Sequence, residues 1–433
     1  MRRHKPIVVA ICSLAVLLLP SAVPAGATER GPLRAGAARV DVTPTTLAGL
    51  TNLWGTPFEG VHDKIYVRAL VLDNSRTTAA LVAGDVVEFG DTTAVRQRIA
   101  NETGIPADNI LISATHDHNA PRVGAVSPGA SARAGGPATA AYTEFVYERL
   151  LEAVRQAKAR LAPARVGAGA GHADVNTNRN EPTPKGWKLG VNPDLPSDKT
   201  VWVVKFENTA GDPIAYFVNY AVHAVVMGPE NKLVTGDIAG ATSRYIEQHF
   251  DDKVVALWTS GPAGDQNPKF MAWDTTFTNK TLRPGFGLME SQAQILAEEA
   301  IRTASGVDHT LSDIRLMGAQ RMLTCPANLD PRRPAPIAGP PSSEVNIRLG
   351  LVMIDRIALA AVSAEVYTNI YWHLKKESPF TNTIMVTLVN DRLGYLPDDA
   401  AYEMPYFGVP GPAQKNCAEP GIVNGILEMM DRF

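Results

Sequence analysis

The sequence predicts a mixed α/β chain (α/β or α+β) forming one large domain of mixed sheets flanked by helices. Three observations lead there. Short β-branched apolar runs alternate with amphipathic helical stretches over the whole length. Hydrophobic residues make up 45% and charged residues 20%, close to the roughly 45–50% and about 25% of ordinary globular domains. That composition excludes a disordered chain, a coiled coil and a polytopic membrane protein. No internal repeat and no composition step divides the 433 residues, so one domain is expected although length alone would allow two or three.

The N-terminus predicts export. Arg2, Arg3 and Lys5 precede an almost wholly apolar run from Ile7 to Leu19, and Ala25-Gly26-Ala27 follows. A cationic start, about 7–15 apolar residues and an A-x-A site describe a secretory signal. A membrane-spanning helix needs about 20 apolar residues. The expected mature protein is therefore residues 28–433, secreted, with no transmembrane segment after cleavage of residues 1–27. Strands are expected at Ile65–Leu72, Thr78–Val82, Ile110–Ala114, Val201–Phe206, Ile214–Val222, Val254–Trp258, Val352–Val362 and Ile384–Val389. The clearest helix is Tyr142–Leu161, where Tyr142, Phe145, Val146, Leu150, Ala153, Val154, Ala157 and Leu161 form one stripe. Gly240–His249 and Met289–Thr303 are also helical in pattern. The stretches Gly124–Pro137 and Pro331–Pro341 are expected as surface loops.

Lys and Arg total 41 against 44 Asp and Glu, a net charge of −3. No basic block is long enough to follow a nucleic-acid backbone, so no nucleic-acid partner is expected. Cys12 would leave with the signal. Cys325 and Cys417 remain, and an oxidising compartment favours their pairing over two buried free thiols.

Nine histidines occur in the chain, so their placement is informative. His116 and His118 follow the apolar run Ile110–Ala114. Side chains two apart on an extended segment share a face, and two imidazoles at the end of a buried strand can grip one zinc ion. Alone, His-x-His is equally compatible with two solvated loop histidines. Asp117, between them, should point away and serve the loop's own hydrogen bonds. His223 ends the apolar run Tyr216–Val222; a lone histidine there is often structural. Glu365 closes the apolar stretch Ile357–Ala364, where a buried carboxylate needs a cation or metal partner, or else bonds the N–H groups of a helix start.

Several motifs, in order, resemble the catalytic domain of the neutral/alkaline (non-lysosomal) ceramidases. They are GAARVDVTP at Gly36–Pro44, GVHD at Gly60–Asp63, YVRA at Tyr66–Ala69, SATHDHNAP at Ser113–Pro121, NTNRN at Asn176–Asn180, AVHA at Ala221–Ala224, TGDIAG at Thr235–Gly240, GDQNP at Gly264–Pro268 and GYLP at Gly394–Pro397. The resemblance implies one Zn2+ held by His116, His118, His223 and Glu365, with Tyr395 completing the metal shell. Three imidazoles and a carboxylate leave room for a water or substrate oxygen, as in catalytic zinc sites. Arg179 matches an arginine near the tetrahedral intermediate, and Tyr406 roughly fits a tyrosine that contacts substrate. Two departures matter. The family's serine near the scissile amide is Asn267 here; a carboxamide cannot accept an acyl group but can donate to an oxyanion. The expected nucleophile is therefore a zinc-activated water. The chain also ends at Phe433, about 40 residues past Tyr395, short of the ~100 that an immunoglobulin-like sandwich takes.

The resemblance thus implies that residues 28–433 form a ceramidase-type zinc hydrolase domain without that C-terminal sandwich. Its expected activity is cleavage of an N-acyl amide bond, in ceramide or a related N-acyl lipid. The alternatives are a zinc hydrolase of another bond, such as an ester or lactone, and a non-catalytic secreted binding protein that keeps the fold. The sequence leaves the oligomeric state open.

Overall fold

The computed structural model of the chain describes residues 29–124, 136–273, 285–329, 343–404 and 411–433. The predicted signal, most of the predicted loop Gly124–Pro137, all of the predicted loop Pro331–Pro341 and Tyr406 lie outside the described residues.

An eight-stranded sheet carries the first two thirds of the chain. In chain order its strands are β1 (Arg34–Asp41), β2 (Tyr66–Asp73), β3 (Thr78–Gly84), β4 (Ile110–Ala114), β5 (Ala162–His172), β6 (Thr200–Asn208), β7 (Pro213–Tyr220) and β8 (Val255–Ser260). Their spatial order is β8-β7-β6-β5-β1-β2-β3-β4. Pairing is antiparallel except for β7–β8 and β3–β4, which are parallel. The sheet curls until β8, at one edge, lies against β3 and β4 at the other. A second sheet holds β9 (Leu316–Pro326), β10 (Glu344–Ile354), β11 (Ile357–Val362) and β12 (Asn382–Val386), paired in that order.

Side-chain alternation turns these two sheets into four layers. Leu70, Leu72, Leu81, Leu111, Phe217 and Leu257 of the large sheet face Leu316, Val352, Ile354, Leu359 and Ile384 of the small one. The opposite side chains of the large sheet, such as Val67, Ala69, Val71, Val201 and Val203, bury the helices α1 (Thr93–Thr103), α2 (Pro137–Ala159), α3 (Asp237–His249) and α4 (Gly285–Ser305). The outer face of the small sheet is covered by α5 (Thr368–Glu377) and α6 (Ala418–Met430), through Tyr371, Leu374, Ile422 and Ile426. The predicted mixed-sheet domain flanked by helices is what the chain forms.

The predicted run Val352–Val362 is not one strand. It turns back at Asp355 (φ 52°) into the antiparallel pair β10–β11. The turn takes only Asp355 and Arg356 between two buried apolar arms, so the polar interruption is two residues long. Strand β5 was not predicted, because its glycine alternation has low strand propensity. The glycines are there for packing: a side chain at Gly167, Gly169 or Gly171 would run into Thr303, Val307, His309 or Glu299.

Cys325, at the end of β9, and Cys417, just before α6, are joined as a disulfide with Cα atoms 5.9 Å apart. The bridge fastens α6 to the sheet it covers. A second tie lies beneath β2. Arg68, 2% exposed, donates from Nε to Glu247 Oε1 at 2.8 Å and from Nη1 to Asp85 Oδ2 at 2.9 Å. It thereby joins the sheet to α3.

Candidate metal centre

The site forms where strands of both sheets end. Past β4 the chain reverses at His116, whose φ of 62° is left-handed. The predicted strand alternation is therefore not what brings the two histidines together; a strained turn is. It is held by Thr115 N donating to Gly84 O (3.0 Å), Asp117 N to Val86 O (3.1 Å) and His118 N to Ala224 O (3.3 Å). Asp117 and Ala224 pair as an isolated bridge, which lays the loop after β4 against the loop after β7 that carries His223. Asp117 Oδ1 accepts Asn119 N at 2.8 Å, the loop role expected of it.

The three imidazoles converge, with one nitrogen from each within 4.8 Å of the others. His116 Nδ1 lies 2.9 Å from Val87 O, and His223 Nδ1 lies 2.9 Å from Gln266 O. Each carbonyl can only accept, so it fixes the tautomer and leaves the Nε2 lone pair facing the centre in the neutral ring. His118 Nε2 stands 3.2 Å from His116 Nε2. Glu365 Oε2 lies 3.0 Å from His223 Nε2 and 3.3 Å from His116 Nε2. Three imidazoles and a carboxylate converge on one buried point. The donor set thus fits a divalent cation, and three nitrogens with one oxygen are the chemistry of zinc.

These groups also shift one another's protonation. Burial alone would raise the Glu365 carboxyl, but His116 and His223 hold it well below the usual carboxylate range. Burial pushes His223 down to about 3, with Arg179 and His116 adding to the effect. Burial also holds His118 well below its ordinary value, reinforced by His116 and His223. Burial opposes a proton on His116, yet the Glu365 carboxylate outweighs it and raises that group.

Glu365 reaches the centre from just beyond β11, where Glu365–Val366 pairs in parallel with Tyr395–Leu396. The Tyr395 phenol is pushed up by burial, against the pull of Arg179. Arg179 is 3% exposed and is no surface arginine. Its guanidinium lies 5.0 Å from the Tyr395 ring centroid. It also reaches His223 Nε2 at 3.1 Å, Asn267 Oδ1 at 3.4 Å and Gly264 O at 2.6 Å. Asn267 keeps its carboxamide oxygen toward Arg179 and aims Nδ2 at Met271 Sδ, 3.6 Å away.

Some residues of the site escape sequence reasoning about ligands. Asp237, in the TGDIAG motif, has a φ of 47°. Its carboxylate accepts Val226 N (3.0 Å), Met227 N (2.9 Å), Ile238 N (2.7 Å) and Asn119 Nδ2 (3.3 Å). It therefore clamps the His118 loop to the His223 loop. Asp265 accepts Thr368 N (3.1 Å), Thr368 Oγ1 (2.9 Å) and Asn178 Nδ2 (3.0 Å), joining the Arg179 strand to α5. Both aspartates lie in quoted motifs, but nothing in a motif separates a loop clamp from a ligand.

Asp265 is pushed up to about 6 by burial, in spite of its bonds to Gln266 and Thr368. A folded value above the unfolded one, about 3.9, means that the native state binds this proton more tightly. Stability from Asp265 is fully present below about pH 3.9 and is lost as pH rises through about 6, by on the order of 2–3 kcal/mol in all. Urea unfolding of wild type and Asp265→Asn between pH 4 and 7 measures it. The wild-type advantage should shrink with rising pH, and a constant difference would contradict the assignment.

Residues 34–311 match the neutral/alkaline non-lysosomal ceramidase N-terminal family. A neutral ceramidase of Drosophila pseudoobscura pseudoobscura is 26% identical over 231 residues, and neutral ceramidase A of Dictyostelium discoideum is 27% identical over 233. The first match covers 49% of this chain and 32% of the relative; the second covers 48% and 32%. The matched stretch therefore spans about a third of these curated relatives. The crystal structure of neutral ceramidase from Pseudomonas aeruginosa superposes with a TM-score of 0.70 at 15% identity, over 93% of this chain and 75% of that one. A ceramidase complexed with C2 gives the same score, over 93% of this chain and 76% of that one. With its matched region carrying His116, His118, His223, Arg179 and Asn267, the chain belongs to the neutral/alkaline non-lysosomal ceramidase family.

Proposed function

We propose that the protein is a secreted, zinc-dependent amidohydrolase that cleaves the N-acyl amide bond of ceramide or a related N-acyl lipid. The observation that carries this reading is the convergence of three imidazoles and Glu365 on one buried point, with both backbone-anchored rings turning Nε2 inward. Relatives named neutral ceramidases support the bond type. The disulfide fits an oxidising compartment.

His116, His118, His223 and Glu365 would hold the zinc, with Tyr395 beside them. When bound, zinc supplies Lewis acidity toward a carbonyl and makes water a competent nucleophile at neutral pH. Val87 O and Gln266 O keep the His116 and His223 rings oriented. Arg179 contributes a fixed positive charge beside His223, in a place shielded from water, where charge developing on the carbonyl oxygen is stabilised. Asn267 can turn Nδ2 from Met271 sulfur, a weak acceptor, to that oxygen. Two serines near the strand ends have their hydroxyls engaged: Ser113 Oγ donates to Val82 O and Ser260 Oγ to Thr115 O, each at 3.1 Å. That favours water over serine as nucleophile.

Matched N-acyl amides and esters with the same acyl chain test the bond preference; faster enzyme-specific turnover of the ester alone overturns it. Asn267→Ala should lower turnover by about 10²–10³, the usual loss of one oxyanion donor, with zinc retained. Mass spectrometry of enzyme quenched during turnover should find no acyl adduct on serine. An adduct there would sink the water mechanism.

A further inference from the structure

Trp54 is 38% exposed, and isolated exposed apolar residues are common. Its setting is not ordinary. The loop from Thr51 to Pro57 closes on itself as an isolated bridge, with Gly55 at φ 92° beside the tryptophan. Inside the loop sits Asn52, completely buried. Asn52 Oδ1 accepts Trp54 N and Thr56 N, both at 3.0 Å, and its Nδ2 donates to Pro229 O (3.0 Å) and Asn231 O (3.2 Å). Every hydrogen-bonding position of that amide plane is directed at fixing the loop. Leu53 N is tied to His118 O at 3.2 Å. The exposed indole is thus held by a rigid support whose backbone is bonded to a candidate zinc ligand.

The indole faces the site. Its ring centroid is 5.2 Å from that of His118 and 5.8 Å from that of Trp273. Trp273 is 7% exposed and anchored by Nε1 donating to Val225 O at 2.9 Å. Gly228 leaves the space that the Trp273 ring fills. Two fixed indoles therefore make an apolar wall that runs outward from the imidazole cluster to solvent.

We propose that Trp54, backed by Trp273, is the wall against which the hydrocarbon chain of the substrate lies, and that it sets the preference for chain length. This rests on the reading of the imidazole cluster as the place where the substrate carbonyl binds. Rigid aromatic surface takes up apolar chain at little entropic cost. Each methylene laid on it gains up to about fourfold in kcat/KM, the equivalent of about 0.8 kcal/mol.

The test is kcat/KM across N-acyl amides of one amine, with saturated chains from two to twelve carbons, for wild type, Trp54→Ala and Trp54→Phe. Wild type should gain about two- to fourfold per methylene over the first several carbons. In Trp54→Ala that slope should flatten, and Trp54→Phe should restore most of it. An unchanged slope in Trp54→Ala overturns the proposal. In parallel, calorimetric binding of the saturated fatty acids of the same lengths gives a readout that needs no turnover. If amides are not cleaved but the acids bind with a Trp54-dependent chain-length slope, the wall stands and the amidohydrolase reading falls. If the acids bind without that slope, or do not bind, the wall is wrong.

Discussion

His223→Ala is expected to lose its zinc to a mild chelator that leaves the wild type loaded, and to lose amide turnover with it. His223 is 1% exposed, has its Nδ1 committed to Gln266 O, and stands 3.0 Å from Glu365. Removing an outer-shell partner of a metal ligand already costs about 10–100-fold in affinity or activity; removing the ligand should cost more than about 100-fold. Glu365 would then lose one of the two imidazoles that hold its carboxyl well down, so its depressed value should also move back up. Zinc content after dialysis, measured by elemental analysis, decides the point. A variant that keeps one equivalent of zinc shows that the ligand set is wrong.

The largest loss of stability is expected from Arg68→Ala. Arg68 is the cation shared by Asp85 and Glu247, and both acids are buried, at 1% and 0% exposure. Arg39 still reaches Glu247 Oε2 at 2.6 Å from the edge of the site, but Asp85 would keep only the N–H of Tyr66. Breaking a buried pair by deleting one partner costs about 3–5 kcal/mol, since the remaining charge stays buried without compensation. Equilibrium urea unfolding should show that loss at pH 7 and a smaller one in acid, where Asp85, already raised by burial, takes up a proton. A loss under 1 kcal/mol would mean that water reaches these carboxylates.

Much of the fold was legible in the sequence because strands buried on both faces are continuous apolar runs: Thr78–Val82 and Ile110–Ala114 fall within or on the strands formed. What escaped has physical reasons. Strand β5 is glycine-rich because a helix lies on it, and α6 carries apolar residues with Gly425 in its middle against Leu349. The hairpin at Asp355 is hidden because the stretches on either side of its two-residue turn, Leu349–Ile354 and Ile357–Val362, are both buried and apolar. At the site, the histidines and Glu365 could be named because their chemistry is rare in apolar surroundings. Their convergence could not be derived from strand geometry, since it depends on a left-handed His116 and on the two edges of a curled sheet meeting. Trp54 carried no signal at all; only the buried Asn52 beneath it gives its position meaning.

That meeting of edges has a consequence for when the protein can become active. The bonds that close the site region join residues as far apart as Thr92 and Asn390, 298 positions along the chain, and Glu365 follows His223 by 142. Contacts of such range form late, because the loops they close must first lose their freedom. The three imidazoles are all present by residue 223, but the set that includes Glu365 exists only once most of the chain has been made. On the proposed reading of a secreted zinc enzyme, a polypeptide threaded through a membrane before its distant halves have met would be loaded with metal only after it had crossed.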